Sequence, residues 1–283
     1  MMTLLLKPAE LLYRGVNRVR RALYRAGALK AKRLPRPVIS IGNIAIGGAG
    51  KTPAVICIAG HLAAAGLRVA VLTRGYGRAD AKVTGRVDSL DAARWGDEPV
   101  LIKSHLDNVD VLVGSNRYQN AVQYLHENQC DVFLLDDGFQ HLQLARDADV
   151  VIDVPGARFH REGRSALRDA TFVVPRKLRL RVPAELKRVF AFAGLADNEQ
   201  FFAALRSAGL EVTGTRGFPD HHRYTADDVA ALRRDAMGVT LVTTEKDFVK
   251  LGDRDIIPLP AELEIGGGVL EQLLHLVRAH SEA

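Results

Sequence analysis

The sequence is poor in the features that mark several large protein classes. Its 283 residues hold only two cysteines, Cys57 and Cys130, both in apolar stretches that read as buried elements. Two isolated thiols cannot build a zinc site by themselves; a structural role and a reducing compartment are expected. No stretch approaches the ~20 apolar residues needed to span a bilayer. The short run Leu4-Leu5-Leu6 is followed by Pro8 and by no clean cleavage site, so no signal peptide is read and the chain is expected to stay in the cytoplasm. Internal repeats and low-complexity tracts are absent, and the 47% hydrophobic and 25% charged content is that of an ordinary folded chain.

Acidic residues are scarce in one place. Residues 1–36 contain ten Lys/Arg and a single acid, Glu10, in a chain whose formal net charge is only +6. The remainder is therefore slightly acidic, and nucleic-acid binding by the whole protein loses its support. Within the basic segment, Leu11, Leu12, Val16, Val19, Leu23 and Tyr24 draw one apolar stripe on a helix expected over 9–30, ended by Pro35 and Pro37. Arg14, Arg18, Arg21 and Arg25 form a basic strip on its flank. Two readings stand: a helix lying flat on an anionic membrane, or one packed on the body with a solvated basic face.

Beyond this segment, strands alternate with helices. Strands are expected at 38–41, 68–73, 109–113, 131–135, 149–154 and 171–174, with helices at 54–65, 97–105 and 116–127 between some of them. That order predicts a P-loop NTPase-type, doubly wound, mainly parallel α/β sheet. The stretch PRKLRLRVPAELKR at 175–188 reads as a linker to a second, smaller α/β unit ending in a helix near 268–280. The expected organisation is an N-terminal helical segment over 1–36, a nucleotide-binding domain over 37–180 and a smaller domain over 181–283.

The strongest chemical signal is GGAGKT at 47–52, between an expected strand and an expected helix. Glycines let backbone N–H groups turn inward around phosphates at a helix N-terminus, where the dipole favours anions. Gly47, Gly48, Ala49, Gly50, Lys51, Thr52 and Pro53 are the expected nucleotide-binding residues. Lys51 would reach the β- and γ-phosphates, and the Thr52 hydroxyl would hold Mg²⁺. The strict motif asks for glycine at position 45, where this chain has Ala45. Asp136 and Asp137 follow four apolar residues at a strand's C-terminal end, where ligands bind in open α/β sheets, and supply carboxylates for the metal. Asp97 and Glu98 read either as dipole-stabilising acids in a first helical turn or as catalytic groups. The histidines of 220–222 read as a turn or, through His221, as a partner of Asp97 across the two units. Closing a cleft would then bring the pair together, with Asp97 or His221 taking a proton from an acceptor hydroxyl.

GNIAIGGAGKTP at 42–53, RGYGR at 74–78, GDEP at 96–99, GSNRY at 114–118, DDGFQH at 136–141, FPDHH at 218–222 and TTEKD at 243–247 occur in this order. Together they resemble the tetraacyldisaccharide 4′-kinase family of lipid A biosynthesis over roughly residues 10–250. The resemblance implies phosphorylation of the 4′-hydroxyl of a lipid disaccharide 1-phosphate with ATP and Mg²⁺. It implies a peripheral protein on the cytoplasmic face of the bacterial inner membrane, and favours the membrane reading of the N-terminal helix. It assigns Asp97 as catalytic carboxylate, His221 as its partner, and Arg74, Tyr76 and Arg117 to the lipid head group. No nucleic acid and no obligate protein partner are implied. Where the family commonly reads Leu-Arg-Glu-Pro, this chain has Leu167-Arg168-Asp169-Ala170. The rival readings are a P-loop NTPase, which lacks any CxxC or His-rich tract for metal handling here, and a kinase of a soluble small molecule, which leaves the basic helix unexplained.

Overall fold

The computed structural model describes residues 2–45, 47–157 and 159–281. The chain opens with helix α1 (Met2–Arg25), then strand β1 (Val38–Asn43), helix α2 (Lys51–Ala64) and strand β2 (Val69–Thr73). The first unit continues through β3 (Gly85–Arg86), α3 (Ala92–Trp95), α4 (Asp97–His105), β4 (Asp110–Val113), α5 (Arg117–Glu127), β5 (Val132–Asp136), β6 (Ala148–Asp153) and β7 (Phe172–Pro175). Strand β8 (Leu178–Leu180) leads into β9 (Arg188–Ala193), α6 (Asn198–Ser207), β10 (Glu211–Gly217), α7 (Ala226–Ala236), β11 (Thr240–Thr244), α8 (Glu245–Phe248) and β12 (Ile257–Leu259). The chain returns through β13 (Ala261–Leu263) and ends in α9 (Gly267–Ser281).

Seven strands of the first unit lie in the order β3-β4-β2-β5-β1-β6-β7, all parallel except β3. Strands β1, β2 and β5 are buried along their whole length, as a parallel sheet with both faces covered requires. Alternate residues serve the two faces. Ile39, Ile41, Val71 and Leu134 meet α2 and α4, while Val38, Leu72, Phe133 and Leu135 meet the α5 side. The second unit is a smaller parallel sheet, β10-β9-β11-β12, with its own apolar cores.

The last helix differs from the sequence expectation. Instead of closing the second unit, α9 packs on the first: Leu273, Leu274 and Val277 join the core of α2, along with Leu263 of β13. The reason lies in α2, whose Ala54, Val55, Ile58, Ala59, Leu62 and Ala63 are all buried. A helix apolar on most of its circumference cannot face water behind the sheet, so it takes a second cover. The chain thus crosses between the units twice, and the crossings pair with each other as the antiparallel ribbon β8–β13.

Helix α1 also departs from expectation. It stops at Arg25, ahead of Pro35 and Pro37, because Gly27 turns the chain with φ 72° and donates to the Tyr24 carbonyl at 3.1 Å. Its buried face is polar. Arg21 is enclosed, giving Nε and Nη2 to Glu162 at 2.9 and 2.8 Å, and Asn17 donates to the Arg161 carbonyl at 3.1 Å. Asp169, the departure from the family's pattern, pairs with Arg21 at 3.2 Å and with Arg25. The apolar stripe faces outward instead: Leu11, Val16, Val19 and Leu23 are exposed, Val19 at 59%. The Leu12 side chain lies outside the described residues.

Leu273→Ala is expected to lower unfolding free energy by about 3 kcal/mol through the cavity it leaves beside α2. Truncating Met237, 87% exposed, should change it by less than about 0.5 kcal/mol. Urea denaturation of the two variants checks this; equal effects would place α9 outside the first core.

Candidate active site

The turn after β1 delivers the glycine-rich loop to the start of α2. Gly50 caps that helix in the left-handed region, φ 81°, and makes no side-chain cap bond to the first amides, which suits them to an anion. Ala45 needs no glycine: it is not among the described residues with positive φ, and it bridges His160 in the neighbouring segment. Across the loop, β5 ends in the two aspartates, and the structure separates their roles. Asp137 sits in the left-handed region, φ 49°, and takes Lys51 Nζ at 2.9 Å and Arg161 Nη1 at 2.8 Å. Burial opposes its charge, but Lys51 and Arg161 outweigh that and hold its carboxyl down at about 2. Asp136 points the other way and accepts from Thr73 Oγ1 at 2.9 Å. Burial first, then the charges of Glu98 and Asp137, push it up to about 7.

The second acidic centre is at the start of α4. Gly96, φ 94°, makes that start possible: a Cβ there would lie 2.6 Å from the Tyr76 carbonyl oxygen. Only glycine lets the 74–78 loop lie this close to the helix N-terminus. Asp97 is buried, and its Oδ2 stands 3.1 Å from His221 Nδ1. The two residues belong to different units and lie 124 positions apart. His221 is presented from a left-handed backbone, φ 58°, with its ring centroid 4.7 Å from that of Tyr76. Lys250 Nζ reaches Asp97 Oδ2 at 3.7 Å, and Lys246 Nζ lies 3.6 Å from Glu98.

A third group lies beside these. Arg117 is buried at the start of α5, its Nη1 3.2 Å from His141 Nδ1 and its Nε without a hydrogen-bond partner among the described residues. Burial, then Arg74, lowers the guanidinium's affinity for its proton. His141 is pushed down to about 4 by burial and by Arg117 and Arg74, so its ring is neutral near pH 7. Arg74 and Tyr76 are exposed at the rim.

Asp97, with Gly96 and Lys250, lies behind His221, and the other charged side chains of the three groups line one cleft of about 1950 Å³ between the units. It gathers Gly47, Gly48, Ala49, Gly50, Lys51, Thr52 and Pro53 with Asp136, Asp137, Arg74, Tyr76, Arg117 and His221. Sequence reasoning missed Arg161, Thr73, Lys246, Lys250 and the ribbon residue Leu178, which packs on Gly50. Only the lysines carried a signal: their spacing of four puts them on one side of a helical turn. Among the described residues no three His, Cys, Asp or Glu side chains converge to hold a metal by themselves.

The sequence model of the family described as tetraacyldisaccharide-1-P 4′-kinase matches residues 2–174 and 164–278. The tetraacyldisaccharide 4′-kinase of Anaeromyxobacter dehalogenans (strain 2CP-C) is 39% identical over 333 residues, covering 94% of this chain and 88% of the relative. That of Azoarcus sp. (strain BH72) is 35% identical over 315 residues, covering 96% and 91%. Among solved structures, LpxK from Aquifex aeolicus in complex with ATP superposes with a TM-score of 0.78 at 30% identity, over 99% of both chains.

Asp136 yields a stability prediction. Its carboxyl titrates near 7 in the fold against about 3.9 in an unfolded chain, so its contribution is intact below pH 4 and is lost as pH rises through 7. Asp136→Asn cannot ionise. In magnesium-free buffer it should raise Tm at pH 8, with a smaller gain at pH 5; a gain independent of pH would contradict the buried carboxyl as its source.

Proposed function

This chain belongs to the tetraacyldisaccharide 4′-kinase family and is an ATP-dependent phosphotransferase of lipid A biosynthesis, and we propose that the Asp97–His221 pair is the base that activates the sugar hydroxyl. The observation that carries this reading is the 3.1 Å contact joining the two units beside the P-loop cleft. The γ-phosphate of ATP would lie against the amides before α2 and Lys51, which exchanges Asp137 for phosphate oxygens. The lipid disaccharide's 4′-hydroxyl approaches the Asp97–His221 pair past Gly77. A Cβ at that position would stand 3.2 Å from His221 Nδ1 and 3.9 Å from Asp97 Oδ2, so glycine keeps this face open. As the hydroxyl oxygen bonds to the γ-phosphorus, its proton passes to the Asp97–His221 pair. The bond from phosphorus to the bridging oxygen breaks, and its electron pair leaves with ADP.

Thr52 and Asp136, with Asp137 at hand once Lys51 turns to phosphate, form an oxygen donor set that suits Mg²⁺ shared with a nucleotide. The fit rests on Asp136: a buried carboxyl flanked by two further acids wants a cation beside it. When bound, Mg²⁺ draws charge from the β- and γ-phosphate oxygens. Arg74, Tyr76 and Arg117 provide a basic wall for the substrate's head group, and the free Nε of Arg117 is a donor in want of an acceptor.

Helix α1 supports a peripheral place on the cytoplasmic face of the inner membrane. Among the described residues no helix is long and apolar enough to cross a bilayer. A helix that buries Asn17 and Arg21 while exposing Leu11, Val16, Val19 and Leu23 reverses the soluble pattern and fits one lying in the headgroup layer, with the exposed Arg18 beside anionic lipid.

Transfer of label from γ-labelled ATP to a lipid disaccharide 1-phosphate in micelles is expected, and Lys51→Ala should abolish it. Phosphate released at the same rate with or without lipid would indicate an NTPase instead. Asp97→Ala should lower kcat by ~10²–10⁴-fold with KM for ATP nearly unchanged. Equal losses in both would make Asp97 a binding residue. Replacing Val16, Val19 and Leu23 together by Ser should prevent sedimentation with anionic vesicles yet preserve transfer in micelles; retained sedimentation would refute the membrane role of α1.

A further inference from the structure

Helix α1 grips one short segment of backbone with its inner face. Glu10, Asn17 and Arg21 are spaced by seven and then four residues, which puts them in one stripe along a helix. The stripe meets three consecutive residues. Glu10 Oε1 accepts from the His160 amide at 3.0 Å, and Asn17 Nδ2 donates to the Arg161 carbonyl at 3.1 Å. Arg21 holds the Glu162 carboxylate at 2.9 and 2.8 Å. The far side of the segment belongs to the phosphate loop. The Ile44 carbonyl accepts from the Arg161 and Glu162 amides at 2.7 and 3.3 Å, and Ala45 bridges His160. Residues 160–162 are thus a strip of backbone clamped between α1 and the entry to the P-loop.

The middle residue of the strip reaches the site. Arg161 Nη1 donates to both oxygens of Asp137, at 2.9 and 2.8 Å, and Asp137 in turn holds Lys51 at 2.9 Å. We propose that Glu10, Asn17 and Arg21 are positioning residues for the phosphoryl transfer, holding Arg161 on Asp137 so that Lys51 can leave that carboxylate for the nucleotide. The proposal rests on the reading of Lys51 and Asp137 as groups that meet phosphate and metal. Lys51 gives up Asp137 when phosphate arrives, and a half-buried carboxylate with no other cation beside it would keep the lysine. Arg161 is a second cation that stays, so Asp137 remains balanced after the lysine has turned away. A guanidinium keeps that place only while its own backbone is fixed, and one whole side of this backbone is fixed by α1. The helix therefore has two faces with separate duties. Val16, Val19 and Leu23 look outward, and Glu10, Asn17 and Arg21 serve the nucleotide site.

Arg21→Ala would leave the buried Glu162 carboxylate unpaired and endanger the fold, so the test uses Asn17→Ala and Glu10→Ala, whose partners on the strip are backbone atoms. Transfer in detergent micelles with the full-length protein removes membrane binding from the comparison. In each variant kcat/KM for ATP should fall ~10-fold, the scale of one lost hydrogen bond, with KM for the lipid unchanged. Glu10→Gln, which still accepts from the His160 amide, should restore the rate. Arg161→Met should cost more, and adding Asn17→Ala to it should cost nothing further. Hydrogen exchange without nucleotide or lipid should show the amides of 160–162 opening faster in Asn17→Ala. A loss confined to KM for the lipid overturns the proposal, since α1 would then act on the lipid alone. So do additive losses in the Asn17→Ala, Arg161→Met double variant, and so does faster exchange with unchanged kinetics. Full transfer by Lys51→Ala would sink the site reading and this proposal together. Full rates in Asn17→Ala and Glu10→Ala, with Lys51→Ala inactive, would sink this proposal alone.

Discussion

The structure turns on one buried carboxylate. Asp97 sits at the head of α4 in the first unit, and what it faces comes from the second: His221 at 3.1 Å and Lys250 at 3.7 Å. An ionised group shielded from water is tolerated only where opposite charge and hydrogen bonds meet it. Neither unit satisfies that condition alone. The requirement ties the fold of the second unit, with its left-handed turn at His221 and its lysines after β11, to the position of α4 in the first. The P-loop cleft lies along the same junction, so the contact that balances Asp97 also sets the distance between that carboxylate and the phosphate-binding loop.

The acids of the cleft divide labour by their surroundings. Asp136 and Asp137 are adjacent in sequence and opposite in electrostatics. One is enclosed among other acids with only Thr73 donating to it; the other is clasped by Lys51 and Arg161. Adjacent residues at a strand end point to opposite sides, and the left-handed backbone at Asp137 completes the divergence. The same site therefore holds a carboxyl that seeks a cation and a carboxylate that already has two. Phosphoryl transfer needs both, since charge must be neutralised where the nucleotide binds and the lysine must be held ready before it arrives.

The docking of α1 and the wall of the cleft meet through Arg21. The ion pair with Glu162 fastens α1 to the body, and the same guanidinium donates to the Phe139 carbonyl and lies 4.4 Å over the Phe139 ring, within the loop that follows the acidic pair. A helix anchored through its polar face has its apolar residues left for another medium. The exposed stripe on α1 is thus a consequence of how the helix is docked, through a residue that also touches the loop carrying Gln140 and His141 into the cleft.

Much of this was legible from residues in order along the chain. The P-loop, the apolar run ahead of Asp136, and the alternation of strands and helices depend on near neighbours, and the structure keeps strands within a few residues of where periodicity put them. The pairing of Asp97 with His221 was anticipated from paired motifs and the family resemblance. Other features could not be read there. The basic stretch of α1 announced a flank, yet Arg21 is its buried anchor, because Glu162 lies 141 positions away. The helix near the C-terminus belongs to the first core, because α2 is apolar on a side that no local pattern reveals. Sequence by itself determined the chemistry available and the elements that carry it, since both are properties of short segments. Only the tertiary structure decided which acid resists ionisation, which lysine meets which partner and which face of α1 looks outward, since burial and long-range pairing exist only once distant segments have packed.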